Sequence, residues 1–203
     1  MELKDFLPFG AGVVTTFLGF GLNQLWVHHR ERKFRFQKII SLLKAAHAEV
    51  EFNHGKLIRL KQDLSNCLNV LKIQKTFWGV PSYDILPNFL EKLKGELVAY
   101  PETSALVKTV GNLHFEAAHI QHKVDFLSDQ ILKTEVDDAR SNSWQWAMIT
   151  NIESTLGLIE LNIKAFHVGP EEISETLATL ERNYFSFVQT SPFFLWLNEG
   201  DQK

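Results

Sequence analysis

Two short motifs in this sequence have the spacing of metal-binding helices. Glu51 and His54 are three residues apart, and so are Glu116 and His119. In di-iron and di-manganese helical bundles, two such Glu-x-x-His pairs point into the core and join a glutamate from each of two further helices. The helical positions argue against that site here. Glu51 lies about 100° around the helix from the apolar position Val50, and both residues of the second pair lie at about the same angle from the apolar positions next to them. We therefore predict no metal and no other cofactor.

The other reactive residue types form no catalytic motif. Cys67 is the single cysteine and falls on an apolar helix face, where a buried, inert thiol is expected. His119 and His122, with His114 nearby, indicate a solvated face that binds metal only adventitiously. The sequence has no P-loop, no G-x-S-x-G and no H-E-x-x-H motif, and it lacks the R-x(4–6)-H spacing of helical HEPN-type ribonucleases. We predict that the protein is not an enzyme.

The most informative element is the opening stretch, in which Phe6 to Val27 is a run of 22 residues without a formal charge. As a helix it would be about 33 Å long, enough for a hydrocarbon core of about 30 Å. Pro8 suits a first helical turn, and Trp26 suits the interfacial aromatic belt. The stretch predicts a transmembrane anchor, residues 1–29. A cleaved signal peptide is disfavoured because the leader is not basic and no small-residue cleavage site follows, and a buried core helix is disfavoured by length.

The flanking charges predict the orientation of this anchor. The basic hinge, residues 30–38, carries a local charge of +4, whereas only Lys4 lies on the other flank. The positive-inside rule then places the N-terminus outside and the following domain in the cytoplasm of a cell with an inner membrane. The basic residues expected at the membrane surface are Arg30, Arg32, Lys33, Arg35 and Lys38. A single cysteine agrees with a reducing compartment.

One face of the predicted anchor is lined by small and polar residues: Gly12, Thr16, Gly19 and Asn23. Small residues let two helices approach closely, and threonine and asparagine form hydrogen bonds across such a contact. We expect this face to mediate homo-oligomer formation, either as a plain packing face or as the lining of a pore. The sequence leaves these two interpretations open.

Beyond the hinge, apolar residues recur every three or four positions, which predicts an all-α protein. We expect one helix from Phe36 to about Gln74, continuous with the anchor, and further helices near 86–99, 104–135 and 143–166. Gly169 and Pro170 are then predicted to end the fourth helix and to open a fifth. The domain prediction is a cytoplasmic bundle of four to five helices over residues 39–190, followed by an apolar tail, 191–203. The tail residues considered for contact with a partner, as an alternative to packing on the bundle, are Phe193, Phe194, Trp196 and Leu197.

The charge outside the hinge sums to −7, given a net charge of −3 for the whole chain. Nucleic-acid binding requires a basic footprint, so we predict no nucleic-acid partner. The predicted partners are the membrane, further copies of the chain and a cytoplasmic protein.

Three elements define the layout of this chain: the uncharged run Phe6–Val27, the basic cluster Arg30–Lys38 and the helix IISLLKAAHAEVEFN. In that layout it resembles small bacterial membrane proteins of anti-phage systems, such as retron-associated membrane effectors and the HEPN-like membrane accessory of type VI CRISPR loci. The resemblance is one of architecture over the whole chain and carries over no functional residues. It implies membrane disruption after an infection signal. The expected function is a non-enzymatic effector that self-associates through its transmembrane helix and permeabilises the inner membrane; the alternative is a membrane-tethered scaffold that docks a cytoplasmic partner.

Overall fold

A computed structural model describes residues 3–75, 79–80, 83–85, 87–98, 103–133 and 141–189 of the chain, with the side chains of residues 3–12 and 104–105 outside the description. The described part is all-α and contains four helices. They are α1 (Leu3–Gln74), α2 (Asn88–Leu97), α3 (Ser104–Leu132) and α4 (Asn142–Gln189). The prediction of an all-α helical bundle is therefore confirmed.

Helix α1 is continuous through the predicted anchor, the basic hinge and the first helix of the bundle. This continuity was expected because no proline follows Pro8 until residue 81, and Gly55 does not interrupt the helix. Its apolar positions from Phe36 onward are buried at the predicted spacing of three and four residues. Asn53, which falls on the same stripe, is also buried, and no buried polar side-chain atom in the described residues lacks a hydrogen-bond partner.

Helix α4 corrects the prediction of two separate helices. The segment with Gly169 and Pro170 lies inside one helix of 48 residues, and Gly169 is not a C-cap. A proline inside a helix removes one hydrogen bond, here the one to the carbonyl of Phe166, at a cost of about 3 kcal/mol. Burial of Phe166, Pro170 and Ile173 in the core offsets that cost. Gly169 lies against Leu113 of α3, so closely that an added Cβ would be 2.7 Å from Leu113 Cδ1.

The chain divides into two compact units. The first unit contains the residues up to Ile40 and those from Leu180 onward, and the second is Ser41–Thr179. In the first unit, the end of α4 packs against α1 through contacts such as the hydrogen bond from Gln37 Nε2 to the Tyr184 hydroxyl, 3.1 Å.

The second unit is a four-helix bundle. Its core is built from leucine, isoleucine and valine side chains on one stripe of each helix, the pattern expected for amphipathic bundle helices. Helices α1 and α4 run antiparallel along a seam with two ion pairs, Lys61–Glu160 at 2.8 Å and Lys72–Glu153 at 2.6 Å.

Two polar contacts fix the short helix and the bundle core. The Glu49 carboxylate of α1 accepts hydrogen bonds from the backbone N–H groups of Phe89 and Leu90, at 2.9–3.0 Å, and so caps the N-terminus of α2. Between α3 and α4, Asn162 Nδ2 donates to Glu116 Oε2 at 3.0 Å.

Candidate functional site

The first candidate site is the part of α1 between Val13 and Val27. Nine large hydrophobic side chains in this segment are exposed, and we call them the apolar girdle: Val13, Val14, Phe17, Leu18, Phe20, Leu22, Leu25, Trp26 and Val27. Phe17 is 73% exposed and Leu25 is 68% exposed, so the described part of the chain leaves most of these two side chains uncovered. Contiguous apolar surface of this kind is uncommon on soluble monomers and indicates a contact surface for lipid or protein.

The girdle surrounds the helix rather than forming one amphipathic face. At about 100° per residue, its members leave free a single sector of about 100° around the helix axis. That sector holds the predicted oligomerisation face, Gly12, Thr16, Gly19 and Asn23. A Cβ added at Gly19 would meet no atom within 4 Å, so packing within this chain does not require glycine there.

In the part of the chain whose side chains the structure describes, no helix has a stretch that is long and apolar enough to cross a membrane. The predicted anchor is only partly included in that finding, because the side chains of residues 6–12 lie outside the description.

The basic hinge follows directly on the girdle, and its five cationic side chains are exposed. Two of these residues lie over aromatic rings. The Arg30 guanidinium is 5.6 Å from the centre of the Trp26 ring, and the Arg32 guanidinium is 4.9 Å from the centre of the Phe187 ring. Cation–π contacts of this kind contribute about 0.5–1 kcal/mol at exposed sites.

The end of α4 contacts the same part of α1 through a cluster that we call the aromatic clamp: His29, Arg32, Phe36, Tyr184 and Phe187. The rings of His29 and Phe187 are stacked with centroids 4.5 Å apart. The Phe36 ring lies 5.9 Å from Phe187 and 6.2 Å from Tyr184. No local sequence pattern indicates this clamp, because it depends on the pairing of residues far apart in the chain.

The second candidate site is a cleft between α1 and α4 in the second unit, which we call the histidine cleft. It has a volume of about 600 Å³. Its polar side chains are His47, Glu51 and His54 of α1, and His167, Glu171, Ser174 and Glu175 of α4, above a floor that includes Phe166. Residues 47, 51 and 54 share one face of α1, and residues 167, 171 and 174 share one face of α4.

Two contacts order the histidines of this cleft. The rings of His54 and His167 lie with centroids 5.5 Å apart, and His47 Nδ1 is 3.5 Å from Glu51 Oε2. Burial, and then the neighbouring His167, hold the pKa of His54 below its ordinary value of 6.5, because both disfavour the charged imidazolium. The lowered pKa favours the neutral form of His54, the form in which it packs beside the His167 ring.

The two Glu-x-x-His pairs do not meet in one site. Glu51 and His54 line the histidine cleft, whereas Glu116 accepts a hydrogen bond from Asn162, and His119 lies beside Phe115 at 5.8 Å between ring centroids. Over the residues that the structure describes, no three histidine, cysteine, aspartate or glutamate side chains are arranged to hold a metal ion.

Cys67 is partly buried, and its thiol donates to the Gly79 carbonyl at 3.4 Å. Burial raises the pKa of the Cys67 thiol, and the nearby Asp63 carboxylate raises it further. Asp63 also accepts a hydrogen bond from the Tyr83 hydroxyl at 2.7 Å. A thiol with a raised pKa is a weak nucleophile at neutral pH.

The tail residues predicted for contact with a partner, Phe193, Phe194, Trp196 and Leu197, lie outside the described residues. Comparison of the chain with protein-family models, with curated proteins and with solved structures found no match.

Proposed function

We propose that this protein is a membrane-anchored helical effector that self-associates through α1. The observation that supports this proposal is the apolar girdle, whose side chains are exposed in the described part of the chain and lie on every side of the helix except one sector. Burying apolar surface is favourable by about 25 cal/mol per Å², so such a segment is stabilised by a lipid or protein environment. A lipid environment accounts for apolar side chains on every side of the helix except that one sector.

The sequence on either side of the girdle supports an orientation for this anchor. Residues 6–27 form the inserted segment, Trp26 lies at the interface, and the basic hinge faces the anionic lipids of the cytoplasmic leaflet, each cation near the surface contributing about 1 kcal/mol. The N-terminus is then outside, and the four-helix bundle lies in the cytoplasm at the inner membrane.

Self-association is assigned to the sector that the girdle leaves free. Gly12 and Gly19 allow a second α1 helix to approach closely, and Thr16 and Asn23 supply polar side chains for hydrogen bonds in the bilayer. An assembly with these polar groups around its axis would permeabilise the membrane, which is the outcome that the resemblance to anti-phage effectors implies.

A pair of double variants tests this proposal. Gly12→Leu with Gly19→Leu blocks the assigned sector, whereas Gly10→Leu with Gly21→Leu makes the same chemical change on other faces of the helix. We expect only the first variant to lose its oligomers in lipid nanodiscs, measured by single-particle mass, and to lose dye release from vesicles. Equal oligomer size and equal dye release in the two variants would contradict the assignment.

The second candidate function is a membrane-tethered scaffold, which the surface of the bundle favours. Phe115 and Phe126 are eleven residues apart on one face of α3, and both are exposed, Phe115 at 63%. Aromatic side chains at such positions are typical of protein contact surfaces. If the anchor only tethers, replacing residues 6–27 by an unrelated membrane helix preserves function; the effector proposal predicts that this replacement abolishes it.

A further inference from the structure

The seam between α1 and α4 changes its chemistry along its length. Lys61 of α1 faces Glu160 of α4 as an ion pair, 2.8 Å apart. Two helical turns further along the seam, the facing residues are His54 and His167, whose ring centroids are 5.5 Å apart. The histidine cleft begins at this second pair, so it takes up the same side of each helix that carries the ion pair.

The next turn of each helix places an acidic side chain on both walls of the cleft. Glu51 comes three residues before His54 on α1, and Glu171 comes four residues after His167 on α4. Because the two helices are antiparallel, both steps lead in the same direction, and Glu51 and Glu171 lie at about the same level of the seam. Glu175 lies one turn further along α4, about 6 Å beyond Glu171.

The charge of the cleft is acidic without a matching cation. Among the described residues that line it, none is a lysine or an arginine. Burial lowers the pKa of His54, so its ring is neutral at neutral pH and has a nitrogen that accepts a hydrogen bond. A cation from outside the chain would therefore find carboxylate and imidazole acceptors on both walls, and it would take the place that Lys61 has beside Glu160.

The size of the cleft and its floor indicate an organic cation as the ligand. The volume of about 600 Å³ lies within the range of about 300–1,000 Å³ that is usual for small-molecule sites. In the described part of the chain, no three histidine, cysteine, aspartate or glutamate side chains are arranged to hold a bare metal ion. Phe166 and Pro170 line the cleft between its polar walls, and they suit methylene groups. An aliphatic diamine combines cationic ends with a chain of methylene groups.

We propose that the histidine cleft binds a short aliphatic diamine, with one ammonium group at the level of Glu51 and Glu171 and the other near Glu175. The neutral His54 ring accepts a hydrogen bond from the first ammonium group. Because the ligand contacts both α1 and α4, its binding stabilises their pairing in the bundle. The site lies within the second unit, and this inference does not depend on the insertion of α1 into a membrane.

Calorimetric titration of the full chain with putrescine, in an uncharged detergent at neutral pH and low salt, tests this site. The cleft variant is Glu51→Gln with Glu171→Gln. The matched control is Glu31→Gln with Glu91→Gln, which removes the same charge from exposed residues outside the cleft. We expect the affinity for putrescine to fall roughly tenfold in the cleft variant and to be unchanged in the control. A diol of the same chain length should not bind, because it lacks the charge.

Three calorimetric results overturn the proposal: no binding of putrescine to the wild-type chain at millimolar concentration, equal affinities in the two variants, or equal binding of the diol. A lysine-rich peptide that binds where putrescine does not also overturns it, and assigns the cleft to a protein partner.

A second measurement uses the wild-type chain, in case the glutamine substitutions alter the cleft. Putrescine should shift the imidazole proton resonances of His54 and His167 in NMR spectra. Those of His114 and His122, which lie on α3 outside the cleft, should stay in place. Resonances that all shift alike, or that all stay in place, overturn the proposed site.

Discussion

The substitution Phe17→Arg perturbs the girdle at the middle of the predicted span and leaves the rest of the protein unchanged. Phe17 is 73% exposed, so the substitution removes little packing within the chain. In a bilayer the change is large, because phenylalanine at the centre of a membrane helix contributes about −0.3 to −0.6 kcal/mol, whereas arginine costs about 2.5–3.5 kcal/mol. The difference, about 3–4 kcal/mol, corresponds to a factor of roughly 100–1,000 in the insertion equilibrium.

The assay is alkaline carbonate extraction of the membrane fraction from cells that express each variant. The wild-type chain is expected to stay in the pellet, and Phe17→Arg is expected to shift to the supernatant. Phe115→Arg is the matched control, since Phe115 is similarly exposed but lies on α3, and it is expected to behave as wild type. If Phe17→Arg and Phe115→Arg are extracted alike, the apolar girdle does not insert into the membrane.

Three further predictions concern the bundle. Glu49→Ala leaves two N–H groups at the start of α2 without their acceptor and should lower the free energy of unfolding in urea by about 0.5–2 kcal/mol; a change within the error of the fit would show that the cap contributes nothing. In Gly157→Ala the added methyl group has no neighbouring atom within 4 Å, and the variant should be more stable than the wild type by about 0.5–1 kcal/mol. In Gly169→Ala the added methyl group forces the buried Leu113 side chain to move, so this gain should be lost. Equal melting temperatures for the two variants would contradict the close packing of Leu113 on Gly169. The pKa of His54 is lower in the folded chain than in the unfolded chain, so the unfolded chain takes up the proton first as the pH falls. The contribution of His54 to the free energy of unfolding should be fully present above pH 6.5 and should be lost as the pH drops through the folded pKa. Thermal melts between neutral and mildly acid pH should show a flatter pH dependence of stability for His54→Phe than for the wild-type chain.

The periodic features of the fold could be predicted from the sequence. The buried stripes of α1 and α3 follow a spacing of three and four residues. This spacing can be recognised in the amino-acid sequence alone, because a helix repeats every 3.6 residues. The continuity of α1 was predictable for the same reason, together with the absence of a strong breaker after Pro8. The exposure of the girdle also follows from an apolar run too uniform for one buried face.

The features that were missed depend on contacts between distant segments. The Gly169–Pro170 pair has the local chemistry of a helix end, yet burial of Pro170 and close packing of Leu113 on Gly169 keep α4 continuous. The pairing of His54 with His167 depends on the antiparallel register of α1 and α4, which no local pattern encodes. The capping of α2 by Glu49 depends on tertiary packing in the same way.

The central claim is that α1 inserts its girdle into a bilayer. Flotation of the purified full chain with vesicles of phosphatidylcholine and anionic phosphatidylglycerol, in a density gradient at high salt, tests it most directly, because salt screens the basic hinge and leaves apolar insertion unaffected. If α1 inserts as proposed, the protein floats with the vesicles at high salt. A chain that remains in the dense fraction at high salt, folded and free of lipid, would contradict it.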